Sequence, residues 1–160
     1  MEDVLITNRL LLREINDSDT ADIVKWRSDE HVFRFFKSPH RITQEEHVAW
    51  YNNIYKKDNT RIDYICIEKK SEKKIGVFGL IHKNTDVEIN YLLSPDAQHN
   101  GYAKEAVECL IQHANSMFNA TRIFAEIHKE NIPSINLIKK LGFRIESEDE
   151  SFVIYTNELS

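Results

Sequence analysis

Residues 88–103 read Glu88-Ile-Asn-Tyr-Leu-Leu-Ser-Pro-Asp-Ala-Gln98-His-Asn-Gly-Tyr-Ala103. Val87 to Leu93 reads as a strand, and Ser94-Pro95-Asp96 stops it. From about Gly101 to Met117, Ala103, Ala106, Val107, Leu110, Ile111 and Ala114 recur on one helical face. A strand therefore feeds a short loop, and the loop feeds a helix. Backbone N–H groups in the first turn of a helix lack internal partners, and the macrodipole is positive there. Such a start can hold a diphosphate without a P-loop lysine. Gly101 lets a ligand approach the backbone, and small Ala103 does the same further in. Taken alone, the stretch suits an ordinary strand–loop–helix equally well.

Outward from it, the element signals alternate. Leu10 to Ile15 is a short strand pattern, and Asp17 offers a cap for a helix carrying Ile23, Val24, Trp26 and Arg27. His31 to Phe36 reads as a second short helix, ending before Pro39. Thr43-Gln44-Glu45-Glu46 is a capping box opening a third helix with Val48, Tyr51, Ile54 and Tyr55. Tyr64 to Glu68 and Ile75 to His82 read as a hairpin across Ser71-Glu72-Lys73-Lys74. After the central helix, Arg122 to Ile127 is a strand and Ile132 to Leu141 a helix, with Pro133 in its first turn and Gly142 past its end. Phe143 to Ile145 and Phe152 to Tyr155 close the chain as strands. The order β-α-α-α-β-β-β-α-β-α-β-β predicts a mixed α/β sheet of six to seven strands. Parallel neighbours are expected where helices separate strands, in the second half.

Composition narrows the chemistry. The chain has 160 residues, 41% of them apolar and 29% charged, which suits one globular domain spanning 1–160. A net charge of −5 argues against nucleic acid as an obligatory partner. The four glycines, Gly76, Gly79, Gly101 and Gly142, form neither a G-x-G-x-x-G fingerprint nor a P-loop. Cys66 and Cys109 stand apart with no C-x-x-C, so no disulfide framework or Cys-type zinc site is expected. The start is acidic rather than signal-like, and no apolar run approaches roughly 20 residues, so no membrane span is expected and the cytoplasm is the default compartment.

A second stretch completes the first: Phe124-Ala-Glu126-Ile-His128-Lys-Glu-Asn131-Ile-Pro-Ser134-Ile-Asn136-Leu-Ile-Lys-Lys-Leu141-Gly142-Phe143. Together they resemble the acetyl-CoA-binding core of the GNAT acetyltransferase superfamily. Gln98, Gly101 and Ala103 match its Q/R-x-x-G-x-G/A signature, and Asn131, Ser134 and Gly142-Phe143 match N-x-x-[SA] leading to GF. The resemblance implies a mostly antiparallel mixed sheet with helices on both faces. It implies an acetyl-CoA-dependent N-acetyltransferase acting by direct amine attack on the thioester, with no covalent intermediate and no metal. It places the CoA pyrophosphate on the main chain of Gln98, His99, Asn100, Gly101, Tyr102 and Ala103. Pantetheine would pair with the strand ending Tyr91-Leu92-Leu93, as an added strand, and a main-chain N–H near Leu92 would polarise the thioester carbonyl. Asn131 would bond the pantetheine arm, and Ser134 and Asn136 would lie near its thiol or phosphate end.

Amine attack needs a proton acceptor. A Glu five residues before the motif Asn is the base in relatives resembling the ribosomal-protein N-terminal acetyltransferases, which points to Glu126. Glu88 on the neighbouring strand is the second candidate. Many members carry a Tyr that protonates the leaving thiolate, but Ile138 stands there. Ser134, Tyr155 or water would substitute, or the thiolate leaves unprotonated, as a thiol pKa of about 8.5 allows. Trp26-Arg27-Ser28-Asp29 and Glu45-Glu46-His47-Val48-Ala49-Trp50 resemble W-R-N-D and E-E-H-x-x-W in acetyltransferases of nucleotide-linked aminosugars in pseudaminic acid synthesis. By that resemblance His47 faces the acceptor, Trp26, Phe36 and Trp50 wall its site, and Arg27 suits a diphosphate. A small amine or aminosugar acceptor thus competes with a protein N-terminus. Glu45, Glu46 and Asp29 would suit a cationic acceptor such as a polyamine. A CoA-binding module without turnover is the non-enzymatic alternative. Edge strands after Phe143 allow a homodimer.

Overall fold

A computed structural model describes residues 4–158. The strands are β1 (Val4–Ile6), β2 (Leu10–Glu14), β3 (Arg61–Glu68), β4 (Lys73–Lys83), β5 (Asp86–Leu93), β6 (Arg122–His128), β7 (Arg144–Glu148) and β8 (Phe152–Glu158). The helices are α1 (Thr20–Arg27), α2 (Glu30–Phe33), α3 (Gln44–Asn53), α4 (Tyr102–Phe118) and α5 (Ile132–Lys140). One eight-stranded sheet has the order β1-β2-β3-β4-β5-β6-β8-β7. The strand beyond the expected seven is β1, three residues too short to carry a period.

Every neighbouring pair is antiparallel except β5 with β6. The α4 crossover makes that one parallel pair. The α5 connection makes none, because β8 lies between β6 and β7.

Helix starts follow local hydrogen bonding. The Thr43 capping box closes as expected: its hydroxyl accepts from Glu46 N–H at 3.1 Å, and Glu46 Oε1 accepts from Thr43 N–H at 3.1 Å. Asp17, in contrast, does not cap α1. Asn16 caps a single 3-10 turn, Asp17–Asp19, that precedes it. The face that α3 buries also differs from its apolar pattern: Val48 and Ile54 are exposed, while His47 is buried.

Strand alternation sorts β3–β5 onto two faces. Tyr64, Cys66, Phe78, Leu80, Val87 and Ile89 join the larger core with Ala106, Val107, Leu110 and Ala114 of α4. Ile65, Val77 and Leu92 face the other way, against Ile23 and Trp26 of α1 and Tyr55. Helices therefore cover both faces. The α1/α3 face carries two further cross-strand rows, Asp63–Gly79–Asn90 and Arg61–Ile81–Glu88.

Candidate active site

The sheet opens where its only parallel pair ends. β5 and β6 pair from Asp86↔Arg122 to Glu88↔Phe124 and no further. Ile89 to Leu93 and Ala125 to His128 therefore diverge, and each strand turns a free edge into the gap. A cavity of about 1160 Å³ fills it and continues under α1 and α3. Glu88 and Glu126 sit on its two walls. Glu88 pairs with Phe124, two residues before Glu126, so alternation puts both carboxylates on the α1/α3 face.

One end of the gap is the start of α4. Gly101 is its N-cap, at φ +76°, in the left-handed region, and no side chain caps the helix. His99 is left-handed too, at φ +68°. The loop is clamped from the far end of the chain. Arg9 bonds Glu105 at 2.8 Å and the Asn100 carbonyl at 2.9 Å, with its guanidinium 4.6 Å from the Tyr102 ring centroid. Nothing local in the sequence signals this clamp, because the partners lie about 90 residues apart. The uncapped first turn, the left-handed glycine and the open β5 edge suit a diphosphate followed by an extended arm. Asn131 begins α5 without making a capping bond, which leaves its amide available to that arm.

Most residues expected at the site line this cavity: Leu92, Leu93, Gln98, His99, Gly101, Tyr102, Ala103, Asn131, Ser134 and Asn136 on the CoA side, and Glu88, Glu126, Arg27, Phe36, His47 and Trp50 toward the acceptor. Asn100 does not line it. Its amide, on the exposed side of the loop, donates back to the carbonyls of Gln98 and Ala97, at 3.1 and 3.4 Å. Trp26 does not line it either: only 4% exposed, it packs with Ile15, Ile23, Tyr55 and Ile65 as core. The same helix thus sends its tryptophan into the core and the next residue, Arg27, into the cavity.

The two carboxylates differ. Burial pushes the Glu88 carboxyl above its ordinary value, with the Glu126 charge adding and Lys83 and Lys37 opposing. Glu126 accepts a 2.5 Å ion pair from Lys37, which reaches over from the segment between α2 and α3. That bond raises the Lys37 ammonium. Ile138 is fully buried core, and Tyr155 packs there rather than on the cavity. The phenol at the gap is instead Tyr91, 2.7 Å from the Ser134 hydroxyl and pushed by burial up to about 12. Strand periodicity marks Tyr91 as inward-facing, but only the meeting of β5 with α5 reveals its partner.

The acetyltransferase (GNAT) domain family matches residues 9–144. The chain is 31% identical over 144 residues to the uncharacterized N-acetyltransferase YnaD of Bacillus subtilis, covering 89% of this chain and 83% of that protein. The chain belongs to the GNAT acetyltransferase family. Among other GNAT relatives, the acetyltransferase PseH of Campylobacter jejuni is 24% identical over 140 residues, covering 87% of this chain and 85% of that one. A solved structure of the ribosomal L7/L12 alpha-N-protein acetyltransferase RimL in complex with coenzyme A superposes with a TM-score of 0.83 at 15% identity, covering 98% of both chains. The GNAT fold is therefore established, and with it an acetyl-CoA-dependent N-acetyltransferase. Among the described residues, no helix is long and apolar enough to cross a membrane.

Proposed function

We propose that this GNAT enzyme acetylates the primary amine of a small molecule, aminosugars included, by direct attack on the thioester. The observation that carries this reading is the cavity itself, which runs past the two carboxylates and under the aromatic residues of α3. Its acceptor compartment lies between the Glu88 and Glu126 walls, beneath Trp50 and His47 of α3 and beside Phe36 and Lys37. That lining of aromatic faces and charged groups suits a small amine.

When bound, acetyl-CoA supplies the acetyl thioester. The uncapped N–H groups of α4 hold its diphosphate. The free edge of β5 pairs with the pantetheine arm, and Asn131 bonds it. Ser94 N–H already donates to Ile75 O on β4 at 2.7 Å. Alternation then turns the N–H of Leu93, rather than that of Leu92, toward the gap, where it polarises the thioester carbonyl.

Glu126 accepts the amine's proton, directly or through water, once the acceptor has displaced Lys37. Glu88 stands behind it as the second base. As the new C–N bond forms, the C–S bond breaks and the thiolate leaves. Ser134 and Tyr91 offer it hydrogen bonds, and Tyr91, at about 12, keeps its proton.

Thiol release across a panel of amines, including nucleotide-linked aminosugars and short peptides, tests the reading. Glu126→Gln should lower kcat by roughly 10²–10⁴ without changing CoA binding, and the loss should shrink as pH rises and the amine is already neutral. Glu88→Gln should do less. The reverse ranking would make Glu88 the base. CoA binding with no thiol release from any amine would favour the non-catalytic module.

A further inference from the structure

The charges facing the acceptor compartment pair off unevenly. Arg61 is held by Asp63, with Nε–Oδ1 and Nη2–Oδ2 both at 3.1 Å. Lys37 is held by Glu126 at 2.5 Å. Arg27 has no carboxylate within ion-pair distance among the described residues; its guanidinium lies 5.5 Å from the Phe36 ring centroid. Burial, and then the neighbouring Arg61, lower its pKa from the usual guanidinium value against the attraction of Asp63, and it stays a cation. A half-buried, unmatched guanidinium is an uncommon arrangement, because a buried charge is normally paired.

A second observation sits beside it. His47 is only 3% exposed, and its Nδ1 is the one buried side-chain polar atom without a hydrogen-bond partner among the described residues. Burial first, and then Arg27, keep this imidazole toward its neutral form. Its ring centroid lies 5.6 Å from that of Trp50, over which Arg61 also sits at 5.3 Å. Buried polar groups left unsatisfied in a native fold call for a missing partner.

We propose that Arg27 and His47 bind an anionic group, a carboxylate or a phosphate, on the same acceptor molecule that carries the amine. A guanidinium fork suits either group through two parallel N–H···O bonds. Resting on the compartment's reading as the acceptor site, the proposal narrows the substrate class to anion-bearing amines and away from polyamines. Of the acids expected to attract a polyamine, Asp29 caps α2 through His31 N–H at 2.9 Å and Glu46 closes the α3 capping box, while the carboxylates the compartment does hold, Glu126, Asp63 and Glu88, already face Lys37 and Arg61. Asp29, Glu45 and Glu46 do not line the cavity.

Tryptophan fluorescence of the CoA-loaded protein tests this without turnover, since Trp50 borders the site. Two matched pairs are titrated, glucosamine 6-phosphate against glucosamine and β-alanine against propylamine, with spermidine alongside. The anion-bearing member of at least one pair should bind tenfold or more tightly than its partner, and the pair that responds tells phosphate from carboxylate. Arg27→Met should remove that preference, a loss of roughly ten- to a hundredfold. Arg27→Lys, which keeps the charge without the fork, should restore only part of it. A retained CoA-induced thermal shift checks that each variant is folded. Equal binding within both pairs, tightest binding of spermidine, or an unchanged preference in Arg27→Met overturns the proposal. Thiol release is read separately: an anion preference without acetyl transfer counts against the catalytic reading and not against the anion site.

Discussion

Asp19 has no accessible surface, yet three groups hold it as a carboxylate. Arg13 bonds it twice at 2.9 Å, Lys74 reaches it at 2.7 Å, and Asn16 N–H donates at 2.9 Å. Burial pushes its pKa up, but these bonds outweigh burial and hold it below the ordinary value. A depressed folded pKa stabilises the native state above the unfolded value near 3.9, and the gain is lost as pH falls through the folded value. Asp19→Asn should therefore cost about 3 kcal/mol at neutral pH, with the gap to the parent narrowing below about pH 4. Urea unfolding across that range checks it; a gap independent of pH would assign Asp19 to packing rather than charge. The residue matters for function because it ties the start of α1, the helix that carries Arg27, to β2 and β4. Gly79 plays a comparable part on the floor of the compartment. A Cβ there would collide with Asp63 Oδ1 and Asn90 Oδ1. A glycine there leaves room for both side chains over the middle strand.

At the scale of elements, the loop from Gln98 to Gly101 is the most exposed to test. Gly101→Val places a β-branched residue at φ +76°, where its Cβ would also approach Arg9 Nη2 at 3.4 Å. The loop must then move, and its hold on the diphosphate moves with it. The variant should stay folded, since α4 remains anchored by Ala106, Val107, Leu110 and Ala114. It should lose the thermal stabilisation that CoA confers. An unchanged shift would place the diphosphate elsewhere. Period and capping made α3, α4 and α5 legible in the sequence, because each helix carries its own start and stop signals. They did not reveal β1, which is too short, or the burial of His47, which depends on α3 packing against α1 rather than on apolar spacing.

For the whole molecule, the expected signature is selective stabilisation. Acetyl-CoA at ~100 times its Kd should add about 2.7 kcal/mol to the unfolding free energy, while NAD and ATP at equal concentration should not. An equal melting shift with ATP would remove the argument for the gap between β5 and β6. The sequence by itself determined the element order, the glycine-led start of α4, and the helix from Ile132 that lies within the Asn131–Phe143 family signature. These are local properties of spacing and backbone freedom, written within a dozen or so residues of each other. Only the tertiary structure decided where β5 and β6 part, that Trp26 is core while Arg27 faces the cavity, that Lys37 lies on Glu126, and that Tyr91 meets Ser134. Each depends on residues far apart in the chain arriving on one face of one sheet, and pairing register, not local pattern, sets that arrival.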